Sequence, residues 1–305
     1  MKAEEQPGLE PGPRTDSLAA LWEYAIRSPS KQTRSKVLLA AAIAARGGRG
    51  EPDPRTATAV QAVETLHLAS LAHDDVVDAG DLRRGIASLP ASFGAPMAAG
   101  AGGVFFGRAL NLFARCGDEA VVLASETATQ MCDGQMKELR ALHDLGRTPA
   151  EYFEAIKGKT AGLFWLTASL GGLLGGADHA AMGALALYGE TLGVAYQIVD
   201  DVLDLMGDQQ GMGKPHGNDL KNGNYTLPVI YAIEECPALV ELLQDEAPDE
   251  VVIGTILDSD AIGRAGAEAR RWIEMTRDAV RWLPAACRLR EIANTEIKVL
   301  DDSRE

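Results

Sequence analysis

Apolar residues recur at three- and four-residue spacing along nearly the whole chain, and a chain patterned this way buries its core by packing helix on helix. The rhythm runs through residues 18–26, 37–45, 57–77, 97–113 and 120–142. It resumes over 152–174, 180–205 and 227–233, and in two stretches after Pro248. Helix-start chemistry accompanies it, as in Thr148-Pro149-Ala150-Glu151. No alternating strand pattern with hairpin signals interrupts it, so the sequence predicts an all-α fold. Two segments lack the rhythm, 81–90 and 208–224.

Composition narrows the function. Of 305 residues, 46% are apolar, enough for a substantial core, while only 5% are aromatic. The 29 Lys and Arg against 44 Asp and Glu give a formal charge of −15, and no basic block is present. That argues against a nucleic-acid partner, which needs cations to neutralise phosphates. Cys116, Cys132, Cys236 and Cys287 are scattered without CxxC spacing, which fits reduced thiols in a cytoplasmic protein better than a zinc site. Residues 1–16, rich in Pro, Gly and Glu, read as a flexible tail without signal-peptide order, leaving 17–305 as the folded domain. The most membrane-like stretch, 161–177, holds five glycines with Thr167 and Ser169. It reads as a buried helix packed closely on its neighbours, not as an integral membrane segment.

Two acidic clusters carry the chemistry. His73-Asp74-Asp75-Val76-Val77-Asp78 and Val199-Asp200-Asp201-Val202-Leu203-Asp204 share an Asp-Asp-x-x-Asp pattern. On a helix, Asp74 and Asp78 fall on one face, as do Asp200 and Asp204. Three carboxylates on adjacent turns repel one another unless cations sit among their oxygens. Hard oxygen donors suit Mg²⁺, which keeps several waters and shares substrate phosphates. Both clusters are flanked by apolar residues, and each is followed by a segment bearing basic residues. One copy alone is equally well read as a solvated acidic face; two copies in this setting favour a metal–diphosphate site.

At these residues the sequence resembles the trans-isoprenyl diphosphate synthase (polyprenyl synthetase) family. Residues 66–78 with Leu82-Arg83-Arg84-Gly85 resemble its first aspartate-rich motif. Residues 197–204 with Gly213-Lys214-Pro215 and Gly217-Asn218-Asp219-Leu220 resemble the second. The resemblance implies a single-domain bundle of antiparallel helices around a central prenyl-binding cavity, usually a homodimer. It implies ionisation of an allylic diphosphate with Mg²⁺ and condensation with isopentenyl diphosphate. By the same resemblance Asp74, Asp75, Asp78, Asp200, Asp201 and Asp204 are the metal ligands. Arg83, Lys159 and Lys214 would hold the allylic diphosphate, and Thr160 and Gln197 would turn oxygen dipoles toward the cation. Lys31, Arg34, His67 and Arg84 would hold isopentenyl diphosphate, and Gln135 matches a cavity residue. Each has a plainer reading by itself: a solvated charge for Lys31 and Arg34, a satisfied core histidine for His67, a helix-surface pair for Lys159 and Thr160.

The sequence departs from the family pattern at several places. Gln32 stands for a usual Arg, Ser30 and Ser35 for Gly and Pro, Gly103 for an Asp, and Asn224 for a Lys. The end of the chain is acidic where the family's is usually basic. In the family, bulky residues one turn before the first motif act as a floor beneath the growing chain. Here Ala69 and Ser70 are small, so products of geranylgeranyl length or longer are expected unless Phe105, Phe106, Met131 or Tyr196 block the path. The competing readings are a class I terpene cyclase-like enzyme and a non-catalytic subunit of a heteromeric synthase. A His-Asp phosphohydrolase is weaker still, since no second histidine set accompanies His73-Asp74.

Overall fold

The computed structural model describes residues 18–27, 32–78, 80–83, 85–207 and 217–302. In chain order the first elements are α1 (Leu18–Ala25), α2 (Thr33–Ala45) and α3 (Thr56–Val77), then a hairpin of β1 (Leu82–Arg83) and β2 (Ile86–Ala87). Next come α4 (Leu89–Phe93), α5 (Ala95–Ala114), α6 (Asp118–Arg140) and α7 (Pro149–Ile156). A π turn (Lys157–Ala161) leads into α8 (Gly162–Gly175), followed by α9 (His179–Met206) and α10 (Asn218–Lys221). The chain closes with α11 (Leu227–Glu235), α12 (Pro237–Gln244), α13 (Asp249–Leu257), α14 (Ala261–Ala279) and α15 (Cys287–Asp302). The all-α expectation holds. Two compact units divide the chain, one from residues up to Gln32 with Ala57–Val121, the other from Thr33–Thr56 with Val122 onward.

In the first unit, Ala69 and Ala72 of α3 pack with Leu21, Leu89, Ala98, Ala101 and Phe105. Alanines at these positions let helices approach closely, and the aromatics fill what remains. Trp22 meets Phe105 edge-on at 5.3 Å, and Tyr24 meets Phe93 at 5.2 Å. The hairpin differs from the sequence reading, which saw no strand signal. Its strands are two residues each, Leu82 opposite Ala87 and Arg83 opposite Ile86, too short to show any alternation. Gly85 turns it with φ +83, a backbone conformation that a side chain disfavours. Ser88 then caps α4, accepting a hydrogen bond from the Ala91 amide at 3.2 Å.

In the second unit, α9 runs through the middle, packed by α8, the π turn and α14. Glycines make these contacts backbone-close. A Cβ on Gly171 would lie 2.5 Å from the Leu38 carbonyl of α2, and one on Gly189 would lie 2.5 Å from the Phe164 carbonyl of α8. The 161–177 stretch is therefore a packed interior helix, as expected, and no helix among the described residues is long and apolar enough to cross a membrane. Asp178 caps α9 through the Ala181 amide at 2.8 Å. Thr148 and Glu151 form a reciprocal capping box on α7.

The sequence reading ran one helix through 152–174; the structure interrupts it with the π turn. The segment Lys157-Gly158-Lys159-Thr160-Ala161 holds one poor helix former, Gly158, and no proline. A tertiary contact accompanies the interruption: a Cβ on Gly134 of α6 would lie 2.3 Å from the Lys159 amide nitrogen, so the two backbones lie against each other there. Such π turns often mark functional positions.

Candidate active site

Among the described residues of the second unit, one hydrogen-bonded chain joins three of the elements just described, and a second set of contacts beside it reaches α6. The Thr160 hydroxyl, on the π turn, donates to Gln197 Oε1 of α9 at 2.6 Å. Gln197 Nε2 donates to Asp201 Oδ1 at 2.7 Å, one turn along the same helix. Tyr152 of α7 donates its hydroxyl to Asp201 Oδ2 at 2.6 Å. Beside Thr160, the Lys159 ammonium donates to Glu138 Oε1 of α6. Gln135, one turn earlier on α6, reaches the same Glu138 oxygen at 3.5 Å.

The three aspartates of the second cluster do different things. Asp200 is exposed, and Asp201 is 2% exposed. Asp204 accepts from the backbone amides of Asn218 and Asp219, at 3.3 and 3.2 Å, and so anchors the start of α10. Asp219 is half-buried among these acids. Burial first, and then Asp201, Asp204 and Glu138, push its pKa well above the carboxylate range, while Lys159 opposes them. Burial pushes Asp201 up to about 7, against the hydrogen bonds from Tyr152 and Gln197, with Asp200 and Glu138 adding to the rise. Burial also raises Asp204. Carboxylates crowded in this way are stabilised by a cation, and a divalent ion with hard-oxygen preference fits the donor set. Among the described residues no three acidic, His or Cys side chains converge into a closed metal cage.

Beneath Asp219, the buried Arg147 donates from one guanidinium nitrogen to Asn224 Oδ1 and to the Tyr225 carbonyl, both at 2.8 Å. Asn224 in turn reaches Asp219 Oδ1 at 3.4 Å. The departure at Asn224 removes a lysine from the family pattern, yet a guanidinium from the loop before α7 stands beside it. Glu138, Tyr152, Arg147 and Asp219 were not among the sequence-derived site residues. Asp219 was within reach, inside the quoted second motif; Tyr152 and Arg147 carry no spacing signal that ties them to Asp201 or Asn224.

In the first unit, Asp75 is 6% exposed and one of its oxygens takes both Arg83 contacts, from Nε at 2.6 Å and Nη2 at 2.5 Å. The hairpin is what carries Arg83 back to Asp75. A small pocket beside them is lined by Tyr24, Leu68, Leu71, Ile86, Asp75 and Arg83. Asp74, on the last turn of α3, and Asp78, just past its end, are half-buried and linked by the Asp78 amide to the Asp74 carbonyl at 2.8 Å. His67 is buried, with its carbonyl accepting from the Ser70 hydroxyl at 2.8 Å. Ala69 is 2% exposed and belongs to the core described above. A Cβ on Gly102 would lie 2.4 Å from the His73 ring, so this histidine is packed on α5. At Gly103 an added Cβ meets open space. Arg34, in the second unit, lies over the Phe164 ring at 4.7 Å. Lys31, Arg84 and Lys214 lie outside the described residues.

Comparison with known proteins agrees with this architecture. Residues 15–257 match the polyprenyl synthetase family model. The chain is 34% identical over 248 residues to heptaprenyl diphosphate synthase component 2 of Geobacillus stearothermophilus, covering 79% of this chain and 77% of that one. It is 31% identical over 303 residues to geranylgeranyl diphosphate synthase of Methanosarcina mazei, covering 97% and 85%. Its fold superposes on a polyprenyl synthase from Caulobacter crescentus CB15, solved with calcium and isoprenyl diphosphate, with TM-score 0.86 and 29% identity over 93% and 90% of the two chains. With this fold, and with both aspartate-rich motifs in family order, the chain belongs to the polyprenyl synthetase family and is a transferase of prenyl groups.

Proposed function

We propose that the chain condenses isopentenyl diphosphate with an allylic diphosphate and releases a longer all-trans polyprenyl diphosphate. The observation that carries this reading is the second acidic cluster. Asp200, Asp201, Asp204, Asp219 and Glu138 act on one another at close range, with the half-buried Lys159 ammonium beside Glu138 and Asp219, in a setting that a divalent ion and a phosphate group would complete. The solved relative that carries calcium and isoprenyl diphosphate supports the same donor chemistry.

In this reading Asp74, Asp75 and Asp78 of the first motif, and Asp200, Asp201 and Asp204 of the second, are the carboxylates that would hold Mg²⁺. When bound, Mg²⁺ supplies charge neutralisation to the departing diphosphate. Lys159 exchanges Glu138 for the allylic diphosphate, and Arg83 and Lys214 bind the same group. Arg34, His67, Lys31 and Arg84 hold isopentenyl diphosphate. As the allylic C–O bond breaks, the Thr160 and Gln197 oxygens face the positive carbon. The alkene electrons of isopentenyl diphosphate form the new C–C bond, and a proton lost to the released diphosphate restores the double bond. Water must be excluded, because it would capture the cation.

Ala69 and Ser70 put no bulky side chain of α3 in the path, so geranylgeranyl or longer products are proposed; Phe105, which packs in the same core as Ala69, is the side chain that would shorten them. The free thiols Cys116, Cys132, Cys236 and Cys287 support a cytoplasmic setting. A homodimer is supported by α6, where Val122, Ser125, Thr129, Cys132, Met136 and Leu139 are all exposed and fall at alternating three- and four-residue steps. The relative named as a component 2 points to a second assembly, in which another chain takes that place. The test is product analysis with dimethylallyl, geranyl, farnesyl and geranylgeranyl diphosphates, each with isopentenyl diphosphate and Mg²⁺. Chain extension by the purified protein supports the proposal. Diphosphate release without isopentenyl diphosphate would point to cyclisation, and activity only with a partner chain would point to a subunit role.

A further inference from the structure

We infer that Tyr24 of α1 is a positioning residue for Arg83: its hydroxyl clamps the β1–β2 hairpin from outside and so holds the guanidinium against Asp75. The structural part stands on the contacts themselves, and only its consequence for diphosphate binding rests on the proposed condensation.

A hairpin with strands of two residues has too few ladder bonds and too little burial to hold its shape in water by itself. Leu82 and Arg83 face Ala87 and Ile86 across it, and Leu82 is 56% exposed, so apolar cover adds little. Yet the hairpin presents Arg83 with Nε 2.6 Å from Asp75 Oδ1. Ser88 closes its open end: the Ser88 amide donates to the Asp81 carbonyl at 2.8 Å, and its hydroxyl to the Gly80 carbonyl at 2.5 Å. Those bonds run between near neighbours in the chain. Tyr24 adds a long-range one. Its hydroxyl donates to the Ala87 carbonyl at 2.8 Å, across 63 positions of sequence. Ser92 of α4 donates to the same hydroxyl at 2.7 Å. Chemistry fixes these directions, because a carbonyl only accepts: the phenol proton goes to Ala87, and the phenol oxygen takes the Ser92 proton. One half-buried hydroxyl thus joins α1, β2 and α4. The edge-on contact of the Tyr24 ring with Phe93 aims it. Tyr24 and Arg83 also line the same small pocket, with Asp75. The path between them is short: Tyr24 holds Ala87, Ala87 pairs with Leu82, and Leu82 adjoins Arg83. A guanidinium whose backbone is held in place loses less freedom when it closes on an anion, whether Asp75 or an incoming phosphate.

The test compares Tyr24→Phe, Ser92→Ala, Trp22→Leu and Arg83→Gln in the full chain. Two measurements apply: the Arg83 Nε–H signal of the free protein by ¹⁵N NMR, assigned by its loss in Arg83→Gln, and the affinity for inorganic diphosphate with Mg²⁺ by calorimetry. Phenylalanine keeps the ring and removes only the hydroxyl, so the packing of α1 is retained. Tyr24→Phe should shift and broaden the Arg83 signal and weaken diphosphate binding roughly three- to tenfold, as loss of one hydrogen bond does. Ser92→Ala should move the signal the same way, by less. In an Arg83→Gln background, Tyr24→Phe should leave diphosphate affinity where Arg83→Gln alone puts it, because it acts through that guanidinium. Trp22→Leu controls for packing: Trp22 meets Phe105 from the same helix, so its loss should lower the thermal midpoint and leave the Arg83 signal in place. An unmoved Arg83 signal in Tyr24→Phe overturns the inference, as does Trp22→Leu moving it equally far. So does an undiminished effect of Tyr24→Phe on affinity in the Arg83→Gln background. If Tyr24→Phe does not fold, Ser92→Ala decides through the same signal. Should the wild-type protein bind no diphosphate, the condensation reading fails, and the Arg83 signal of the free protein still decides the positioning role.

Discussion

Gly158 of the π turn and Gly134 of α6 touch backbone to backbone: a Cβ on Gly158 would lie 3.2 Å from the Gly134 Cα and 2.5 Å from the Gln130 carbonyl oxygen. This contact sets where Lys159 and Thr160 begin. Alanine at either glycine must push the π turn off α6. Gly134→Ala is expected to destabilise the fold by roughly 1–3 kcal/mol, the usual range for overpacking a tight contact. Urea unfolding measures this, and turnover should fall further than the stability loss explains, because Lys159 moves with the turn. A variant with wild-type stability and turnover would show that the contact does not set the site.

Arg147 supplies a cation beside Asn224, where the family pattern carries its own lysine. Restoring that lysine should therefore harm the protein. In Asn224→Lys an ammonium meets a buried guanidinium and the amide link to Asp219 is lost, with an expected cost of about 2 kcal/mol. In an Arg147→Met background the same substitution should cost less, since the competing charge is gone. Urea midpoints for the four chains of this cycle give the coupling, and equal costs in both backgrounds would show that the two positions do not share a role.

Ala69 packs with Ala72, Ala98, Ala101 and Phe105 on α3 and α5. If the product grows along α3, Ala69→Phe raises a floor and shortens the main product. Chromatography of the hydrolysed products checks this, and an unchanged length distribution would refute the tunnel placement. The larger ring also overpacks this core, so the thermal midpoint should drop by the equivalent of roughly 1–3 kcal/mol.

Met136 and Leu139 are 46% and 39% exposed on the α6 face proposed for self-association. Replacing both with Glu places like charges opposite each other across any two-fold seam. Light scattering should then report a monomer where the wild type is a dimer. A dimer that persists would place the interface elsewhere, and a wild-type monomer would favour a second chain as the partner.

The helices and the acidic motifs were legible in the chain because each is a local regularity. Apolar spacing marks a buried face wherever a helix forms, and Asp-Asp-x-x-Asp needs only adjacent turns. The helix start at Thr148 likewise follows from a side chain that bonds an amide three residues away. The β1–β2 hairpin left no trace, since strands of two residues have no period to read.

What tertiary structure alone decided is how chemically identical residues divide their work. Asp200 and Asp201 are neighbours in one motif, yet one is exposed and the other lies buried under Tyr152, 49 residues away in the chain. The π turn shows the same dependence: Lys157–Ala161 leave the α-helical path where Gly158 and Gly134, on another helix, let two backbones meet. Spacing along a chain records which side chains share a helix face. Burial, hydrogen-bond partners and backbone approach depend on which faces meet, and that is a property of the packed molecule.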